Sequence, residues 1–235
     1  MSFKTSFKTL CLAVTLLAAP LTHAAYVTID EVGLDAVFSQ ASFGDNKIDI
    51  RVGGITQIVR PDLLAITTDS QITSVFNLHT GSQRVVNFYY VDTIDSCGDF
   101  NTNIIGCGMV GGPNFVVESN WAADNTIPGG GNISYGVQLL AHELGHNLGL
   151  DHLSGNFLMN SYINGFMNLT ANEVTQIFAS SLVQHDTSGF FIQINPVLIL
   201  ASAITNTVPE PSTAMLVLVG LVWVGTRQRK LSKRV

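Results

Sequence analysis

Eleven consecutive residues, His142 to His152, constrain this chain more than any other stretch of it. They read His-Glu-Leu-Gly-His-Asn-Leu-Gly-Leu-Asp-His. The segment 134–148 around their start has no proline and carries apolar residues at helical spacing, which predicts a helix. The apolar stripe consists of Val137, Leu140, Leu144 and Leu148. On such a helix His142 and His146 lie one turn apart on the opposite side, so both can ligate one ion.

The residues after this helix predict a third ligand. Gly149 is expected to end the helix, because glycine adopts the left-handed backbone of a C-terminal cap without steric cost. The chain can then bring His152 back as a third nitrogen ligand, which leaves the fourth position of a tetrahedral zinc ion to water, as in catalytic zinc sites. Glu143 projects about 100° round the helix from His142. That direction is typical of a general base acting on the zinc-activated water.

With these residues the chain resembles the metzincin metallopeptidases, whose signature H-E-x-x-H-x-x-G-x-x-H it matches at every fixed position. A chance motif is the alternative, and the correctly spaced glycine and third histidine argue against it. Met159, seven residues after His152, stands where the resemblance implies a methionine turn below the zinc. A methionine that only packs in a core is equally compatible. Two positions could indicate the subfamily: Leu153, directly after the third histidine, and Tyr162, three residues after Met159. Neither matches the pattern of one metzincin subfamily, so the subfamily stays open.

The resemblance implies an α+β fold: a metzincin-like domain with a twisted mixed β-sheet and an active-site helix above the zinc cleft. It also implies a small C-terminal subdomain with the Met turn and a C-terminal helix. Residues 47–59 and 85–94 are rich in β-branched and aromatic side chains and predict strands. A capping box, Thr170 to Glu173, predicts a helix over 170–182.

A further short strand is predicted at 115–118, before the active-site helix. In metzincins the strand in this position is the sheet edge that pairs with extended substrate. An interior strand is the alternative.

The N-terminal residues 1–24 have the pattern of a secretory signal peptide. Lys4 and Lys8 precede an apolar run over 10–19, and a small residue, Ala24, stands at the expected cleavage site. Its removal leaves Cys97 and Cys107 as the only cysteines, and two cysteines in an exported protein indicate a possible disulfide. Two free buried thiols are the alternative.

Residues 208–235 combine a Val-Pro-Glu-Pro-Ser motif, an apolar run over 213–225 and a basic tail. They resemble the PEP-CTERM sorting signal of Gram-negative bacteria. The resemblance implies two processing partners, signal peptidase and an exosortase-type enzyme, and an initial inner-membrane anchor through a short transmembrane segment. The expected location is then the cell surface or the extracellular space. A plain C-terminal anchor is the alternative.

The intervening residues 25–207 have the size of one domain. The whole chain has a net charge of −6, but 25–211 contains all 17 acidic residues and only four basic ones, Lys47, Arg51, Arg60 and Arg84. Nucleic acid is therefore an unsuitable partner, since phosphate binding needs clustered lysine and arginine. The acidity suits cationic substrates, calcium or simply a solvated surface, and no calcium loop with regularly spaced aspartates is present.

The function expected from these features is that of an exported zinc endopeptidase. One Zn²⁺ is held by His142, His146 and His152, and Glu143 is the general base that acts on its water to hydrolyse a peptide or protein substrate. The alternative is a catalytically silent zinc-binding protein of the surface or extracellular matrix. A third hypothesis, an adhesion module, leaves the three histidines unexplained.

Overall fold

The computed structural model describes residues 25–202, without the side chains of 99–103. The helices are α1 (Glu31–Phe38), α2 (Asp69–Phe76), α3 (Ser119–Ala122), α4 (Tyr135–Asn147) and α5 (Ala171–Ala179). The strands are β1 (Ile48–Val52), β2 (Thr56–Val59), β3 (Ala65–Ile66), β4 (Val85–Val91), β5 (Thr93–Cys97), β6 (Asp99–Ile104), β7 (Gly106–Gly108), β8 (Asn114–Glu118), β9 (Gln184–Asp186) and β10 (Gly189–Leu200). The signal peptide and sorting signal predicted at the two ends lie outside the described residues.

A mixed seven-stranded sheet forms the centre of the domain. Its strand order is β1-β10-β4-β8-β7, with β2 and β9 also pairing with β10. All strand pairs formed among β1, β2, β4, β8 and β10 are parallel. Two pairs are antiparallel, β7 with β8 and β9 with β10. A smaller three-stranded sheet has the order β3-β5-β6. The mixed sheet and few helices are consistent with the predicted α+β class.

The central sheet buries apolar side chains on both faces. Along β4, Phe88 and Tyr90 belong to one cluster, whereas Tyr89 and Val91 belong to the other, as the two-residue period of a strand requires. The first cluster includes apolar residues of α1, α4 and α5, and the second includes those of α2 and the small sheet. Layers on both faces explain why β4 is a nearly continuous apolar run.

The local predictions agree with these elements, with shifts at their ends. The predicted strand 47–59 is two strands, because the chain leaves β1 at Gly53 and pairs again only from Thr56. The predicted strand 85–94 also divides, and its second part belongs to the small sheet. The helix predicted over 170–182 has the expected capping box but ends at Ala179.

The last strand, β10, departs from the prediction of a small C-terminal subdomain. After α5 the chain returns to the main sheet, where β10 lies between β1 and β4 and pairs in parallel with both. The segment that contains Met159 and α5 is therefore not a separate C-terminal subdomain, because the chain continues from it into a central strand of the main sheet. Over residues 25–202 the structure contains no helix long and apolar enough to cross a membrane. The apolar run 213–225 is not among these residues.

Candidate metal centre

Helix α4 supplies two of the three predicted ligands. Ser134 caps its N-terminus by accepting a hydrogen bond from the Val137 amide, and the predicted helix 134–148 is confirmed as Tyr135–Asn147. Gly149 follows with φ +95°, the left-handed conformation expected of the residue that ends the helix. The apolar stripe and also Glu143 are buried, so α4 is enclosed on most of its surface.

The three imidazoles converge. The Nε2 atom of His152 lies 3.3 Å from Nε2 of His142 and 3.2 Å from Nε2 of His146. One ring nitrogen from each histidine lies within 4.8 Å of the others, so the group can hold one metal ion. His142 is buried, His146 is half-buried and His152 is exposed, which leaves one side of the group open to the cleft.

The other ring nitrogens fix the tautomers of two of these histidines. Nδ1 of His142 donates to the Leu158 carbonyl at 3.0 Å, and Nδ1 of His146 donates to the Leu150 carbonyl at 2.8 Å. Because a carbonyl oxygen only accepts, each neutral ring carries its proton on Nδ1 and presents the Nε2 lone pair. Burial also lowers the pKa of His142, to about 4, and that of His146 below its ordinary value. Burial therefore favours the neutral form of both rings, which is the form that binds a metal.

The nitrogen spacing suits zinc. Two nitrogens that each lie about 2.1 Å from a tetrahedral ion are about 3.4 Å apart. The separations of 3.3 Å and 3.2 Å are close to that value. Two of the three nitrogen pairs thus have the spacing expected for a tetrahedral zinc ion, and all three nitrogens lie within 4.8 Å of one another, so the donor set is compatible with one zinc ion.

The carboxylate of Glu143 lies beside the ligands and is buried. The residue is 5% exposed, it lines the same cleft, and its Oε2 atom has no hydrogen-bond partner within the described part of the chain. Burial raises the pKa of Glu143 to about 8. A carboxylate with a free lone pair and a raised pKa is suited to accepting and returning a proton near neutral pH.

Strand β7 lines the cleft beside α4. It is the edge of the central sheet, whereas β8, the strand predicted at 115–118, is interior because it pairs with β4 on one side and β7 on the other. The predicted disulfide between Cys97 and Cys107 is present, with a Cα–Cα distance of 5.9 Å. Both cysteines line the cleft, which has a volume of about 600 Å³.

Met159, the residue predicted for the Met turn, packs against α4. It is fully buried, and its sulfur packs against Gly145, where there is no space for a Cβ atom. The Met159 carbonyl accepts a hydrogen bond from the amide of Leu153, next to His152. Met159 thus contributes to the support of the third ligand and to the apolar floor. Tyr162 lines the cleft but is 81% exposed, and no role is assigned to it.

Two polar residues of α4 that the sequence analysis did not single out hold the helix in place. Buried Gln138 donates to Asn164 Oδ1 and accepts from the Asn164 amide, which ties α4 to the loop after the Met turn. Buried Asn147 donates to the carbonyls of Met109 and Asn114, which ties the end of α4 to β8 and the preceding loop. Asparagine and glutamine within an otherwise apolar helix were the available sequence signal.

We found no match for this chain among protein-family models, curated proteins or solved structures. The metzincin and PEP-CTERM resemblances rest on the sequence motifs alone.

Proposed function

We propose that this protein is an exported zinc-dependent endopeptidase of the metzincin type. The observation that carries the proposal is a buried carboxylate beside three converging imidazoles, two of which present Nε2 lone pairs; one carboxylate oxygen has no hydrogen-bond partner within residues 25–202. A zinc ion bound there would lower the pKa of a water molecule and polarise the scissile carbonyl of a peptide.

Glu143 is the proposed proton carrier. Its carboxylate accepts the proton of the attacking water and delivers it to the leaving nitrogen, so that the amine departs neutral. The residue lines the cleft, and its buried Oε2 atom has no hydrogen-bond partner among the described residues. Burial raises the pKa of this carboxylate to about 8 in the metal-free protein.

The outer edge of β7 is the proposed binding edge for the substrate backbone. This strand lies at the end of the central sheet and lines the cleft. An extended peptide added to such an edge is held by backbone hydrogen bonds, and pockets for alternate side chains give the specificity. The peptide would then cross the cleft in front of the three imidazoles.

The buried state of Glu143 also argues against the silent zinc-binding alternative. A zinc site that only stabilises a domain needs ligands, and it gains nothing from an unpaired carboxylate, whose burial is costly. Such a residue is expected where a proton has to be moved.

The proposal includes export and sorting. Signal peptidase would cleave after Ala24, and an exosortase-type enzyme would process residues 208–235 at the inner membrane of a Gram-negative cell. The protein would then act on peptides or proteins at the cell surface or outside it. The disulfide between Cys97 and Cys107 supports an oxidising location, because disulfides persist outside the cytosol.

The test is cleavage of a quenched fluorescent peptide library by the purified protein. We expect cleavage that stops with a chelator and returns when zinc is added. Glu143→Gln should abolish most of it, and Glu31→Gln, the same change at an exposed position of α1, should not. Bound zinc without cleavage of any library peptide would favour the silent alternative.

A further inference from the structure

Strand β7 lies directly against the side chain of Glu143. A methyl group built on Gly106 would overlap Glu143 Oε1 and would come within 2.7 Å of its Cδ atom. A methyl group on Gly108 would lie 3.0 Å from Glu143 Oε2, from the Glu143 carbonyl oxygen and from His146 Cβ. With the carboxylate in this position there is no room for a side chain at Gly106 and little room for one at Gly108.

The backbone does not require glycine at these two positions. Neither Gly106 nor Gly108 is among the glycines with positive φ, so both have conformations that other residues adopt readily. The reason for glycine is the close approach of Glu143. A different residue at 106 would have to displace the carboxylate or the strand.

The residue between the two glycines anchors the strand. Side chains alternate along a strand, so Cys107 points away from the face on which a side chain at 106 or 108 would meet Glu143. Cys107 belongs to the core cluster on the opposite face of the sheet and is bonded to Cys97 at the end of β5. Beyond β7, the Gly111 amide donates to the His146 carbonyl at 2.9 Å. Strand β7, which pairs only with β8 within residues 25–202, is thus also held by the disulfide to β5 and by the hydrogen bond to α4.

We propose that β7 positions Glu143: Gly106 and Gly108 form a close-fitting cover over its carboxylate, and the Cys97–Cys107 disulfide holds that cover in place. Gly106 is a positioning residue, since it acts through Glu143. The packing claim concerns the metal-free protein and stands on its own. The catalytic consequence rests on the proposed peptidase function.

A double-mutant cycle on the metal-free full-length chain tests the packing claim. Gly106→Ala should lower the Tm by at least about 5 °C. In a Glu143→Ala background, where the opposing carboxylate is gone, the same change should lower it by less than about 1 °C. Gly54→Ala is the control, because Gly54 has open space around it and no positive φ. Equal losses for Gly106→Ala in both backgrounds would overturn the proposal.

Gly108→Ala gives an internal contrast. Two of its three near neighbours, the Glu143 carbonyl and His146 Cβ, remain when Glu143 becomes alanine. Its loss of Tm should therefore persist in the Glu143→Ala background, unlike that of Gly106→Ala. If Gly106→Ala alone fails to fold, recovery of folding in Gly106→Ala with Glu143→Ala is the expected result, and failure of both overturns the proposal.

Turnover measurements distinguish a positioning role of Gly106 from a general loss of structure. In the zinc-loaded enzyme, Gly106→Ala should lower kcat roughly 100-fold, as a misplacement of about 1 Å can, with KM within about threefold and the zinc content unchanged. When Gly106→Ala is combined with Glu143→Gln, the residual rate of Glu143→Gln should not fall further. A further loss in that background contradicts the positioning role. If the wild type has no turnover, the proposed function fails, while the Tm cycle still decides the packing claim.

Discussion

Glu143 should make the metal-free protein less stable as the pH rises. Burial raises its pKa from 4.5 to about 8, so the folded state disfavours the ionised carboxylate. The penalty is absent below pH 4.5, grows as the unfolded chain ionises, and is complete above pH 8. Each pH unit between the two pKa values corresponds to about 1.4 kcal/mol. The full penalty is thus about 5 kcal/mol, of which about 4 kcal/mol develops between pH 5 and pH 9.

Glu143→Gln removes this titration and keeps the shape of the side chain. Any cost of the buried amide does not depend on pH, so the informative quantity is the difference in unfolding free energy between variant and wild type at each pH. We expect that difference to shift in favour of the variant by about 4 kcal/mol from pH 5 to pH 9, or on the order of 10 °C in Tm. Urea unfolding in the presence of a chelator measures it. A difference that is constant across this range would refute the reasoning about burial.

Three further predictions concern the metal centre, the disulfide and the charge. His152→Ala should weaken zinc binding at least about 100-fold in a chelator competition, whereas His79→Ala, outside the centre, should not; equal affinities would contradict the ligand assignment. Replacing Cys97 and Cys107 with serine opens a link of sequence separation 10 and should cost about 3 kcal/mol in urea unfolding; an unchanged midpoint would contradict this. With 17 acidic residues in the chain, kcat/KM for lysine-rich peptides should fall as salt increases, and an identical salt response for glutamate-rich peptides would exclude steering by charge.

Helix α4 and the three histidine ligands could be predicted from the sequence because the interactions that form them are local. Two histidines four residues apart share one side of any helix, and a glycine three residues later permits the turn that returns His152. The capping box at Thr170 is local in the same way. These signals need no knowledge of the rest of the fold.

The elements that could not be predicted depend on contacts between distant residues. Strand β10 gains its central place by pairing with β1 and β4, more than 100 residues earlier in the chain. Strand β7 has three residues, too few for a periodic pattern, and only the structure shows its approach to Glu143. The Leu158 carbonyl that orients His142 is a backbone group, so the residue type at this position gives no signal of the hydrogen bond.

The most direct test of the central claim measures bound zinc and turnover together in the wild type and in Glu143→Gln, on the best peptide from the library. The account predicts about one zinc per chain in both proteins and a loss of at least about 100-fold in kcat for the variant. Near-normal turnover by zinc-loaded Glu143→Gln would contradict the role of Glu143 as the proton carrier.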